Sequence, residues 1–201
     1  MRGGEAAAVT GDRSGGWDVV ADAFMAVRSG VGTALVRAWA LRRLPPGAAI
    51  LDLGCGSGVP IAAALAEDGF TIWGVDPAPR MIAAFRHRLP GMPAACEPAQ
   101  ASDFFGRRFV GVIAVGVLFL LPPADQLALL GRVAGALAPG GHFLFSAPRA
   151  PAAWTDPLTG RASVSLGVDA YAARLADVGL RLLGSERDEG GNDYHAATRV
   201  A

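Results

Sequence analysis

The stretch Leu51-Asp52-Leu53-Gly54-Cys55-Gly56-Ser57-Gly58 constrains this chain more than any other. Three alternating glycines follow a short apolar run and precede a helical pattern, so the backbone turns sharply there and leaves room for a ligand against the main chain. Around it, short buried runs alternate with longer helical patterns. Strands are expected at 49–53, 71–75, 92–96, 110–115 and 142–147, and helices at 60–67, 80–89 and 124–137. Such alternation implies a doubly wound α/β fold, a mostly parallel sheet with helices on both faces. Ligands bind such folds at the C-terminal strand ends, where these glycines fall.

A second element narrows the ligand. Ile72-Trp73-Gly74-Val75-Asp76 ends the next strand with a carboxylate 18 residues after Gly58, placed to accept both hydroxyls of a ribose. Nicotinamide-binding folds share this glycine-then-acid order. Asp52, inside the strand before the loop, argues against them: a carboxylate there repels the pyrophosphate that a dinucleotide loop holds at its helix N-terminus. It favours a ligand with a free ammonium and no phosphate, such as S-adenosylmethionine (SAM).

Composition limits the partners. The 201 residues are 52% apolar and 18% charged, enough for one compact domain. Lys+Arg and Asp+Glu number 18 each, so nothing pulls the chain towards nucleic acid or anionic lipid. The two cysteines, Cys55 and Cys96, form neither a disulfide framework nor a metal-ligand pattern, and they fit a reducing cytoplasm. No run reaches the roughly 18 apolar residues of a spanning helix, and no secretory leader is evident.

Residues 1–16 read as a flexible lead-in and 17–201 as the single domain. Its first part, 17–44, carries two helices that Pro45-Pro46 stops. Residues 148–168 are a Pro/Gly-rich loop, a length that in a compact domain marks function or mobility. A helix at 169–178, a strand at 180–186, a Gly190-Gly191-Asn192-Asp193 turn and a strand at 194–200 close the chain as a hairpin.

The run from Ile50 to Gly58 resembles the first motif of the class I SAM-dependent methyltransferases. Gly74-Val75-Asp76-Pro77-Ala78-Pro79-Arg80-Met81 is similar to the family's acidic second motif, and Leu137-Ala138-Pro139-Gly140-Gly141-His142 to its Leu-x-Pro-Gly-Gly turn. The likeness covers roughly residues 45–150. It departs at Val110, where many members carry an aspartate. It implies a seven-stranded, mostly parallel sheet with an antiparallel last strand, which agrees with the terminal hairpin.

The resemblance also assigns cofactor contacts. Gly54, Cys55 and Gly56 would contribute backbone, Asp52 would face the ammonium and Asp76 the ribose, with Pro77 and Met81 flanking adenine. Glu97 and Gln100 compete for the adenine amino group. Val115 and Gly116, after the fourth strand, would contact adenosine. Trp17 and Arg28, on the leading helices, would cover the sulfonium and pair with the methionine carboxylate; a core aromatic and a surface arginine are the plain alternatives.

On the acceptor side Phe119, Trp154, Asp156 and Tyr194 are candidates, with His195 or Asp156 as a base if the nucleophile is a weakly acidic hydroxyl. The expected activity is methyl transfer from SAM to a small molecule, without metal. A SAM-binding protein of this fold that does not transfer methyl is the alternative; a nicotinamide-dependent oxidoreductase is the more distant one.

Overall fold

The computed structural model describes residues 12–200. Helices α1 (Ala21–Val27) and α2 (Thr33–Arg43) precede an alternating core of β1 (Ala49–Leu53), α3 (Ile61–Glu67), β2 (Thr71–Asp76), α4 (Pro79–Arg88), β3 (Ala94–Cys96), β4 (Phe109–Ala114), α5 (Pro123–Ala136) and β5 (Leu137–Ser146). A hairpin of β6 (Ala152–Thr155) and β7 (Ala162–Ser165) follows, then α6 (Val168–Asp177), β8 (Leu180–Arg187) and β9 (Asp193–Arg199). The main sheet has seven strands in the order β3-β2-β1-β4-β5-β9-β8. Strands β1 to β5 pair in parallel, and β9 lies antiparallel between β5 and β8.

Strand alternation sorts the core. Along β1, Ile50 packs with α2, α3 and α4 (Trp39, Leu65, Phe85), while Leu51 and Leu53 face α5 and α6 (Leu130, Val133, Leu175). Both faces are dry, as a parallel sheet requires. Pro79 opens α4 at its first turn, where a missing N–H costs nothing. Strand β5 starts earlier than expected, at Leu137 opposite Phe109, and its register then slips to His142 opposite Gly111. The Pro139-Gly140-Gly141 segment is taken up inside the strand.

Two regions differ from the sequence reading. The supposed loop over 148–167 contains the β6–β7 hairpin, because Ala152–Thr155 and Ala162–Ser165 are joined by a turn that Asp156 closes: its Oδ1 accepts from the N–H groups of Leu158 and Thr159 at 3.1 and 2.7 Å. Composition rich in Pro and Gly hid two short strands. At the other end, Asp12–Gly16 form a turn in which the Asp12 carboxylate accepts from Ser14 and Gly16 N–H at 2.9 and 2.6 Å. The remainder of the expected lead-in lies outside the described residues. Regular helix begins only at Ala21, and Val27 and Leu41 of the apolar pattern point outwards.

The junction between α1 and α2 is wedged against the β8–β9 turn. Gly32 has φ +80°, donates its N–H to Glu189 Oε1 at 3.1 Å, and a Cβ there would overlap the Tyr194 hydroxyl. A Gly32→Ala substitution therefore combines backbone strain with a clash against a buried ring. It is expected to lower the thermal midpoint by about 5 °C or more, read by calorimetry, whereas Gly47→Ala, with φ +74° but open space, costs less.

Candidate cofactor and acceptor site

The glycine loop is tied to the sheet as it leaves it. Gly54 and Cys55 both donate N–H to Val75 O, at 2.7 and 3.2 Å, so the turn stays beside the end of β2. Gly54 needs its φ of +68°, and a Cβ there would overlap the Val117 side chain. At Gly56 a Cβ would meet only Met81 Sδ, 4.0 Å away, which leaves that stretch of backbone open to the cavity. The Cys55 thiol is buried, and burial, with the Asp52 and Asp76 carboxylates nearby, pushes its pKa well up. A thiol so placed stays protonated near neutral pH and offers little thiolate.

Two carboxylates sit at the ends of neighbouring strands. Asp76 is oriented by the chain itself: Oδ1 accepts from Ala78 N–H at 2.9 Å and Oδ2 from Gly56 N–H at 3.0 Å. Burial raises its pKa and these two bonds oppose the rise. Asp52 is 5% exposed and receives no hydrogen bond among the described residues. Burial first, and the Asp76 charge second, push its pKa up to about 8, with Arg28 pulling the other way. A buried carboxylate without a donor is costly, and a cation placed beside it would restore its charge.

Above them α1 is fastened to α4. Asp18 Oδ1 accepts from Arg80 N–H at 2.7 Å, Arg80 pairs with Asp22, and Ala21 packs on Ala78 and Met81. This holds Trp17, edge-on to Phe24 at 5.3 Å, and Arg28, whose guanidinium lies 5.9 Å from the Phe24 ring, along one wall of a cavity of about 1380 Å³. The volume exceeds the roughly 300–1,000 Å³ of an ordinary ligand pocket. It suits a cofactor and a second small molecule together.

All but two of the sequence-expected site residues line this cavity. Asp52, Gly54, Cys55, Gly56, Asp76 and Pro77 do so, as do Met81, Gln100, Val115 and Gly116. Phe119, Trp154, Asp156 and Tyr194 line its outer part. Glu97 is a correction: its N–H bonds to Asp76 O at 3.1 Å, and Gln100, one turn further on, is the residue of that pair that lines the cavity.

His195 is a second correction. It is fully buried in β9 and absent from the cavity wall. Its Nε2 donates to Ala147 O at 2.9 Å and its Nδ1 accepts from Ser185 Oγ at 2.7 Å, while burial lowers its pKa. Alternation along β9 turns Tyr194 to the cavity and its neighbour away. Asp156 keeps its place on the wall, with one carboxylate oxygen spent on its own turn.

Several residues escaped the sequence reading. Ser146 Oγ accepts from Gly116 N–H at 2.7 Å and fixes the turn after β4. Gln126, fully buried, donates from Nε2 to Leu121 O and Val164 O, both at 2.8 Å, and accepts from Tyr171 Oη at 2.6 Å. It thereby ties β7 to the segment that carries Phe119. A glutamine among the apolar positions of α5 was the available signal. Ser163 also lines the cavity, with its Oγ buried and unpartnered.

Comparison with known proteins identifies the family and the fold. Residues 27–183 match the family model described as a methyltransferase domain. A carboxy-S-adenosyl-L-methionine synthase from Chromohalobacter salexigens is 35% identical over 115 residues; the match takes in 52% of this chain and spans 42% of that relative. Among solved structures, the 1,6-didemethyltoxoflavin-N1-methyltransferase of Burkholderia thailandensis superposes with a TM-score of 0.73 at 19% identity, covering 100% of this chain and 94% of that one. An amino pentose methyltransferase from Micromonospora echinaspora with SAM bound gives 0.69 at 21% identity, covering 90% and 97%. The CcbJ methyltransferase of Streptomyces caelestis gives 0.74 at 17% identity, covering 94% and 99%. The chain belongs to the methyltransferase-domain family, and its fold is that of the class I SAM-dependent methyltransferases.

Proposed function

We propose that this protein transfers the methyl group of SAM to a small-molecule acceptor. The observation that carries the reading is Asp52: a buried carboxylate without a donor, beside an open glycine loop and next to an Asp76 already oriented by two backbone N–H groups. Asp52 would receive the ammonium of the cofactor's methionine end, Asp76 the ribose hydroxyls, and Arg28 the methionine carboxylate. Met81 and Pro77 would flank the adenine, with Gln100 at its edge and Trp17 over the sulfonium. The methyltransferases of similar fold support a small-molecule acceptor, and the equal counts of basic and acidic residues do not favour nucleic acid.

SAM, when bound, supplies a methyl group on an excellent leaving group, so the protein's task is alignment and exclusion of water. The apolar wall after β4 and the roof formed by α1 and the β6–β7 hairpin serve that task. With His195 committed to the sheet, the chain offers no histidine base to the acceptor. A weakly acidic hydroxyl would then depend on Asp156, which lines the cavity, and a nucleophile already reactive near neutral pH needs no base.

A second reading takes SAM as a substrate to be modified, and the carboxy-SAM synthase relative favours it. Mass spectrometry of a turnover mixture separates the two: demethylated SAM (SAH) with a methylated acceptor supports transfer, and a heavier SAM derivative supports modification. Among the described residues no helix is long and apolar enough to cross a membrane. The two free thiols, one buried and one exposed, support a reducing compartment.

Calorimetric titration should show SAM and SAH binding, no binding of NADH, and loss of both sulfur ligands by ~100-fold or more in Asp76→Ala, where a buried carboxylate loses its ribose bonds. Binding of NADH with silence towards SAM would put an oxidoreductase first. Asp52 adds a stability signature. Its folded pKa of about 8 lies above its ordinary 3.8, so the folded state holds a proton that the unfolded state has lost, and stability falls as pH rises through that window. Asp52→Asn should flatten this slope in denaturant titrations between about pH 5 and about pH 9, making the ligand-free variant the more stable protein at the alkaline end. An unchanged slope would mean that Asp52 ionises normally.

A further inference from the structure

We propose that the outer part of the cavity is an acceptor subsite for a flat aromatic or heteroaromatic ring bearing a hydrogen-bonding substituent; this rests on the SAM reading of the inner part. The wall is built from two elements that the fold brings together. Phe119 comes from the 3-10 turn Leu118–Leu120 after β4, and Trp154 from β6; their ring centroids are 5.2 Å apart and their planes tilted by 51°. Both rings line the cavity, with Leu121, Pro122 and Val164 beside them. This is an apolar surface that matches a π-face by area and by quadrupole.

The polar half of the argument is Ser163. It is opposite Trp154 in the β6–β7 register, so the two side chains share one face of the hairpin, the face that meets Phe119. Ser163 is 1% exposed and its Oγ has no partner, whereas Ser165, two residues on and on the same face, donates to Pro148 O at 2.8 Å. A buried hydroxyl is normally satisfied, and this one belongs to a residue of the cavity wall. A ligand atom that donates or accepts there completes it.

Position and charge sharpen the class. The hairpin is held by Gln126 and Tyr171, so the Trp154–Ser163 pair is a fixed template. Charged groups on the outer wall are mixed, Asp12, Asp125, Asp156 and Asp193 with Arg13 and Arg161, and of the acids Asp193 is paired with Arg187 and Asp12 is bonded within its own turn. That balance selects neither a polyanion nor a polycation. Beside the Phe119–Trp154 pair the buried hydroxyl without a partner is Ser163 Oγ, one polar contact next to an apolar face, which fits a flat ring with a single polar substituent.

The test uses the SAH complex of the full chain and a fragment set in which each flat aromatic member is paired with its saturated counterpart, read by ligand-observed NMR. Aromatic fragments carrying a hydroxyl, amine or ring nitrogen are expected to bind and their saturated partners not to. Trp154→Ala should weaken them by about tenfold and Ser163→Ala by about fivefold, with SAH affinity unchanged in both. Ser163→Ala should leave the ligand-free protein at least as stable as before, so its loss of binding is not a folding effect. Equal binding of the saturated partners, aromatic binding that survives either substitution, or no aromatic binding at all overturns the proposal. SAH affinity is measured first and separately: its absence overturns the cofactor reading and this one with it, while its presence without an aromatic preference overturns this one alone.

Discussion

Asp52 is buried at the end of a central strand with a second carboxylate, Asp76, on the neighbouring strand, and the rest of the site is arranged around that pair. In a dry sheet such an arrangement is unfavourable, and burial together with the neighbouring charge pushes the Asp52 pKa up to about 8. Its neighbour is treated differently. Backbone N–H groups of the glycine loop and of the first turn towards α4 hold Asp76 in a fixed orientation. One acid is therefore satisfied by the protein and the other lacks a donor, and on the proposed reading that second acid receives the ammonium of the cofactor.

The fold explains why both acids are there. The strand order reverses between β1 and β4, so the connections leaving β1 and β4 diverge to opposite faces and open a crevice at the C-terminal strand ends. The floor of the cavity comes from segments that leave strands at that edge, the turns after β1, β2, β3, β4 and β5. The roof is supplied from two distant places. The turn at Asp12–Gly16 meets the tip of the β6–β7 hairpin: a Cβ at Gly16 would lie 3.7 Å from both Arg161 Nε and Thr159 Cβ.

Much of this was legible in the sequence because strand alternation and glycine spacing are local. Asp52 and Asp76 were readable from their places relative to the loop, and the terminal hairpin from its Gly-Gly-Asn-Asp turn. What failed was decided by partners far along the chain. His195 was a candidate base beside Tyr194, yet one residue of alternation turns it into the sheet, onto Ser185 and Ala147. Glu97 and Gln100 were not separable in one dimension; the turn at Pro98–Ser102 brings the second to the cavity. The β6–β7 hairpin was lost among prolines and glycines, and its anchor Gln126 is 37 residues before Ser163, beyond any local pattern.

The central claim is that Asp52 is held neutral in the free protein and ionised by the ammonium of the cofactor. Calorimetric titration of SAH at about pH 7 in two buffers of different ionisation enthalpy measures it directly. The account predicts release of about one proton per SAH bound, abolished in Asp52→Asn. Binding with no proton released, or with the same release in the variant, would contradict it.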